Sequence, residues 1–127
     1  MSVPLRRGDV VMVRLDPAVG REIRKTRPAV VVSNDVACTM DAVVQTVPLT
    51  ALAQRPLRPY ESLVGSHASG VKKKCRAVAN QVRTVAKERI GTVVGRLSSD
   101  ELRALEQAIA IQLGLHPLLR DAASGRP

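Results

Sequence analysis

The chain almost lacks aromatic side chains: Tyr60 stands alone, with no Phe and no Trp. Most sequence-reading RNA modules stack bases on Phe, Tyr or Trp, so an RRM or an ordinary OB-fold surface is not expected. Cysteine is also scarce. Cys38 and Cys75 lie far apart, and neither has a Cys or His neighbour at metal-ligand spacing; His67 and His116 are the only histidines. Two cysteines make no disulfide framework, and a structural zinc needs four ligands, so both are expected as free thiols, with no metal and no cofactor. No apolar run approaches the roughly 20 residues needed to cross a bilayer; the longest, residues 29–32 among them, are strand-length. The first residues carry positive charge with no apolar segment behind them, so no signal peptide is visible and a cytoplasmic protein without membrane contact is expected.

What is present fits one small domain. The 127 residues are 45% hydrophobic, enough for one core, and a mean hydropathy near zero argues against a wholly disordered chain. Twenty Lys and Arg against eleven Asp and Glu give a net charge of +9, which draws polyanions to the surface. Solubilising charge is the plain alternative, but the cations cluster. Arg21, Arg24, Lys25 and Arg27 crowd one loop, and Lys72, Lys73, Lys74 and Arg76 form a second group. Two such clusters beside strands suggest a groove lined for phosphate. With aromatics nearly absent, RNA would be held by guanidinium planes, backbone groups and polar side chains.

There is no internal repeat or low-complexity segment. Gly8-Asp9 leads into a β-rich run over 10–15, ended by Asp16-Pro17, and a polar loop follows to Arg27. Residues 28–33 read as a buried strand with Pro28 at its first position. Asn34-Asp35 reads as a turn, 42–47 as a third strand closed by Pro48-Leu49-Thr50, and 51–70 as a long loop with a weak strand near 60–64. Residues 75–81 read as a strand, 84–90 as a short helical turn and 92–96 as a last strand. Ser98 and Glu101 make a capping box for the one strongly patterned helix, which carries Leu102, Leu105, Ile109 and Leu113 on one face and ends at Gly114. Domain bounds of 1–115 follow, with 116–127 as a flexible tail. The pattern implies a mainly β fold, a small antiparallel barrel with a terminal amphipathic helix.

The motifs Gly8-Asp9-Val10-Val11, Leu15-Asp16-Pro17, Gly20-Arg21-Glu22 and Thr26-Arg27-Pro28-Ala29-Val30-Val31-Val32-Ser33-Asn34-Asp35 resemble the first half of MazF/PemK toxins. The second half is similar: Val47-Pro48-Leu49-Thr50, Gln81-Val82-Arg83-Thr84-Val85, Lys87-Glu88-Arg89-Ile90-Gly91 and Gly95-Arg96-Leu97-Ser98. The resemblance spans roughly residues 7–115. It implies an SH3-like, PemK-type barrel acting as a homodimer, with single-stranded RNA in a groove at the dimer interface and an acidic antitoxin segment competing for it. It further implies metal-independent cleavage of RNA to 2′,3′-cyclic phosphate and 5′-hydroxyl ends, in a type II toxin–antitoxin system.

Such cleavage requires a base for the 2′-hydroxyl, stabilisation of charge at phosphorus and a proton for the leaving 5′ oxygen. Preorganised cations and donors supply the second without metal. Arg27, with a fork that fits phosphate, matches the family's catalytic Arg of the Arg-Pro motif. Thr50 matches the Thr/Ser after the Pro-hydrophobic pair. Glu22, seated among cations, suits a base or an Arg-orienting partner; an ion pair with Arg24 or Arg27 is the structural alternative. Some relatives carry an acidic residue just before the Gln, where this chain has Asn80, which cannot accept a proton usefully. RNA contacts are expected from Arg21, Arg24, Lys25, Ser33, Asn34, Lys72, Lys73, Lys74, Arg76, Asn80, Gln81 and Arg83. Ser33 and Asn34 have a turn as their alternative, and Gln81 and Arg83 a part in holding the groove. His67 reads as a bystander. Two other functions fit the same sequence: a non-catalytic SH3-like inhibitor module resembling gyrase poisons, and a degenerate paralogue that only binds antitoxin.

Overall fold

A computed structural model describes residues 4–115. Seven strands and two α-helices follow in the order β1 (Asp9–Arg14), β2 (Thr26–Val31), α1 (Asp35–Met40), β3 (Val43–Ala51), β4 (Glu61–Val64), β5 (Cys75–Val78), β6 (Arg83–Ala86), β7 (Ile90–Arg96) and α2 (Ser99–Leu113). Short 3₁₀ turns cover His67–Ser69, Ala79–Gln81 and Lys87–Arg89. All pairings are antiparallel, in the order β4-β5-β3-β2-β1-β7, with β6 also on β3. The expected barrel is therefore an open sheet with β4 and β7 at its ends. It curls until the His67–Ser69 turn beyond β4 meets β7, where a Cβ on Gly95 would strike the Ser69 backbone and one on Gly70 the Val94 carbonyl. That backbone-to-backbone approach admits only glycine.

Side-chain alternation sorts the core into two faces. On one face Val11, Val13, Ala29, Val31, Val44 and Val85 pack together with Leu15 and Cys38. On the other, Val10, Val30, Val47, Leu49 and Ala77 pack under Leu105 of α2. The helix starts as its capping box requires: Glu101 N–H donates to Ser98 Oγ at 3.1 Å and Ser98 N–H to Glu101 Oε1 at 3.0 Å. Gly114 closes it at φ 78°. Leu102 and Ile109 pack on the second core, but Leu113, expected on the same face, is 56% exposed.

Several elements differ from the sequence expectation. Asn34-Asp35 opens a one-turn-plus helix rather than a bare turn, because Asn34 Oδ1 accepts from Ala37 N–H and caps it. The third strand runs through Pro48 to Ala51, and the strand from Cys75 stops at Val78. Within 84–90 only Lys87–Arg89 is helical, since β6 pairs Val85 with Val44 and buries it. Pro28 is the third residue of β2, not its first, and the last strand begins at Ile90. The 116–127 tail lies outside the described residues.

Two prolines position the site. Val30 pairs with Val47, and the next hydrogen-bonded pair would be Pro28 with Leu49, but Pro28 has no N–H to give; β2–β3 pairing ends at Ala29↔Pro48. On β3 itself, the N–H and C=O of Gln45 face the β2 side, bonding Ser33 Oγ and Val32 N–H. By alternation Pro48, three residues on, aims its N–H-less edge the other way. There the ladder stops after Thr46↔Arg83 and resumes only at Leu49↔Ala77, with residues 79–82 looping out between. Both sides of β3 thus come apart at one level.

Candidate active site

The gap left by these prolines holds two adjoining cavities that share Ile23, Asn80 and Gln81. The first, about 350 Å³, is lined further by Leu15, Glu22, Pro48, Val82 and Arg83. The second, about 290 Å³, is lined by Arg21, Thr50, Tyr60, Glu61, Arg76 and Val78. The first cavity mixes apolar and polar walls, while the second is lined mainly by polar and charged side chains.

Thr50 faces the second cavity, and its hydroxyl has no hydrogen-bond partner among the described residues. Glu22 faces the first and, among the described residues, forms no ion pair with Arg24 or Arg27, so the structural alternative expected for it is absent. Arg24 instead donates to Gly20 O at 3.0 Å and Arg27 Nε to Arg24 O at 2.9 Å. These backbone bonds leave the guanidinium termini of Arg27 free to face an anion. By strand alternation Arg27 shares the face of Ala29 and Val31, and Thr50 that of Val44, so both leave the same face of the sheet. Arg27 lines neither cavity itself.

Gln81 and Arg83 hold the groove. Gln81 Oε1 accepts from Ile23 N–H at 3.2 Å, and its Nε2 donates to Arg21 O at 3.3 Å. Arg83 donates to Leu15 O at 2.7 Å, and Arg89 to Asp16 O at 2.6 Å. The basic 16–25 loop is therefore tied at both stems to the 81–89 segment, with Lys25 at φ 72° making its sharp return. Asn80, exposed at the mouth of both cavities, has no side-chain partner among the described residues.

Other expected contacts lie elsewhere. Ser33 is buried, bonded to Gln45 Oε1 at 2.7 Å, and Asn34 caps α1; both sit at the far end of β2 and line neither cavity, so their side chains serve the fold. Lys72, Lys73 and Lys74 are exposed on the turn before β5, away from Asn80 beyond its other end, and also line neither cavity. His67 is exposed in the turn that meets β7.

A carboxylate the sequence reading passed over anchors the second cavity. The Glu61 side chain is 1% exposed and takes a bidentate fork from Arg55 at 2.8 and 3.0 Å, the Arg58 N–H at 2.8 Å and the Arg76 guanidinium. The Arg55 hydrogen bonds hold its carboxyl at about 2 against the opposing effect of burial, with Arg58 and Arg76 adding to the lowering. The Arg55-x₅-Glu61 spacing carries no signal of its own; only the β4–β5 pairing, Leu63↔Arg76 and Glu61↔Val78, brings the second arginine in. Among the described residues no three His, Cys, Asp or Glu side chains gather as a metal centre would need, and no described helix is long and apolar enough to cross a membrane.

Residues 6–113 match the family described as the PemK-like, MazF-like toxin of type II toxin-antitoxin systems, and the chain belongs to that family. It is 38% identical over 116 residues to endoribonuclease MazF9 of Mycobacterium tuberculosis, a match covering 87% of this chain and 98% of that protein. Endoribonuclease EndoA of Bacillus subtilis is 26% identical, covering 87% of this chain and 96% of that one. Its fold is that of the MazF crystal structure from Deinococcus radiodurans, with a TM-score of 0.75 at 23% identity over 88% of this chain and 98% of that one. A mycobacterial endoribonuclease solved in complex with its cognate antitoxin superposes at a TM-score of 0.70, with 25% identity over 89% of this chain and 97% of that one.

Proposed function

We propose that this chain is the toxin of a type II toxin–antitoxin pair, a cytoplasmic endoribonuclease that cuts single-stranded messenger RNA without a metal. The observation that carries the reading is a free threonine hydroxyl, Thr50, facing a cavity it shares with Arg21 and Arg76, with Arg27 on the same sheet face. The endoribonuclease relatives support the reaction class.

In the reaction the RNA 2′-oxygen bonds to phosphorus as the phosphorus–5′-oxygen bond breaks. The 2′-hydroxyl loses its proton and the leaving 5′-oxygen gains one, so no water is consumed and the new ends are a 2′,3′-cyclic phosphate and a 5′-hydroxyl. Arg27 and Thr50 donate to the non-bridging oxygens, where charge accumulates; donors already in place need no reorganisation as it builds. Guanidinium stays protonated and serves as an electrostatic clamp, not as the base. The base falls to Glu22, free of ion pairing at the adjoining cavity, because the Asn80 amide cannot take a proton.

The protein works as a homodimer that closes the groove over single-stranded RNA, and an acidic segment of its antitoxin competes for the same cations. The net charge of +9 suits both polyanions. Incubation with a long single-stranded RNA in EDTA, followed by mapping and chemical typing of the ends, tests the activity. Discrete cuts with cyclic-phosphate and 5′-hydroxyl ends are expected, lost in Arg27→Ala. Intact RNA would favour a binding module, and a strict need for divalent ions would reject the mechanism.

A further inference from the structure

Arg76 was expected beside Lys72–Lys74 as a contact for the RNA backbone, but the fold separates it from them. On β5 it pairs across the sheet with Thr50 of β3, and directly opposed residues hold their Cβ atoms about 5 Å apart on one face. Both side chains line the second cavity. The lysines stay outside it.

The Arg76 guanidinium is fixed on two of its edges. Nε donates to Ala51 O at 3.0 Å, and Nη1 meets Glu61 Oε2. Nη2 has no partner among the described residues. Glu61 cannot swing away to follow a ligand, since Arg55 grips both its oxygens and the Arg58 N–H a third time. One carboxylate between two guanidinium groups leaves this cluster with a net positive charge facing the cavity.

From this geometry we infer that Arg76 is a second catalytic cation beside Thr50, and that Glu61 is the positioning residue that aims it at the scissile phosphate. The inference rests on the ribonuclease reading above and adds to it a group outside the matched motifs. A guanidinium anchored through Nε and Nη1 presents its free Nη2 N–H pair at a fixed angle, a form of preorganisation that favours the charge-rich transition state over the ground state. Arg76 retains its protons throughout. It stabilises the phosphorane-like charge while the bond exchange proceeds as written above.

The test uses the full chain and an RNA oligonucleotide whose cut site has been mapped with the wild type, plus the same oligonucleotide carrying a single 2′-deoxy sugar at that site as an uncleavable binding probe. Arg76→Lys keeps the charge but loses the second edge, and is expected to lower single-turnover cleavage by about 10²-fold, as removal of one preorganised donor does, while affinity for the deoxy probe changes less than threefold. Glu61→Gln is expected to fall about tenfold in the same rate constant, and the double variant to be no slower than Arg76→Lys, because Glu61 acts through Arg76. Arg96→Gln, which breaks the Asp9 ion pair away from both cavities, is the control for lost stability and should cut at the wild-type rate once folded. If Glu61→Gln does not fold, Arg76→Lys carries the decision. Equal losses of affinity and rate in Arg76→Lys, or an unchanged rate, overturn the inference while leaving the nuclease intact. A wild type that cuts no RNA overturns the nuclease reading and this inference with it.

Discussion

Replacing Gln81 by alanine removes the one amide that fastens the basic loop to the 79–81 turn. The loop loses an acceptor for Ile23 N–H at 3.2 Å and a donor to Arg21 O at 3.3 Å. Two long, neutral hydrogen bonds are together worth about 1–2 kcal/mol. Ile23 also packs on the first core, and Arg83 and Arg89 still hold the neighbouring stem, so the loop opens locally while the fold stays. That energy corresponds to roughly a 5- to 30-fold larger open population. Amide hydrogen exchange read at Ile23 measures it directly, with core amides such as Val30 as the internal reference. Gln81→Glu, which still accepts from Ile23 but cannot donate to Arg21 O, should lie between wild type and Gln81→Ala. RNA cleavage should fall in the same order, since Arg21 and Glu22 move with the loop. If Ile23 exchanges within twofold of wild type in Gln81→Ala, Gln81 does not latch the loop.

Glu101 gives a pH prediction. Burial raises its carboxyl, but donation from Ser66 Oγ and from the N–H groups of Gly65, Ser98 and Ser66 outweighs that and brings it to about 2. A carboxyl lowered on folding stabilises above its unfolded value of about 4.3 and loses that contribution as pH falls toward the folded value. Glu101→Gln should therefore melt several degrees below wild type at pH 7, with the gap closing between about pH 4.5 and 2; an equal gap at both ends of that range would contradict this. Gly95→Ala places a Cβ against the Ser69 backbone, and chemical denaturation should show a loss of about 1–3 kcal/mol or more. Thr50→Val, which keeps the shape and removes the hydroxyl, should cut about 10²-fold more slowly with unchanged melting temperature.

The two cores and the capped helix were legible because they rest on local rules. Alternating valines in β1 and β2, and Ser98 with Glu101 at α2, carry their own signal. The candidate site was proposed mainly from the toxin-like motifs around Arg27 and Thr50. What the sequence hides is long-range. The Glu61–Arg76 pair depends on β4 and β5 lying in register, and the Gln81 latch joins residues 58 positions apart. Lys72–Lys74 and Arg76 look like one cluster along the chain, yet the β3–β5 pairing sets Arg76 opposite Thr50 in a cavity that the lysines, on the turn before β5, do not line. Pro48 read as the end of a strand because proline lacks an N–H. Inside the sheet it ends only the ladder on one edge of β3, and that break makes room for the site.

The most direct measurement is cleavage, in EDTA, of an RNA in which one mapped cut site carries a 2′-deoxy sugar and a second mapped site is left unmodified. Attack by the RNA's own hydroxyl predicts that the wild type cuts the unmodified site to cyclic-phosphate ends and leaves the deoxy site whole. Cutting at the deoxy site would mean that water or a side chain is the nucleophile, and the account built on Arg27, Thr50 and Glu22 would be wrong.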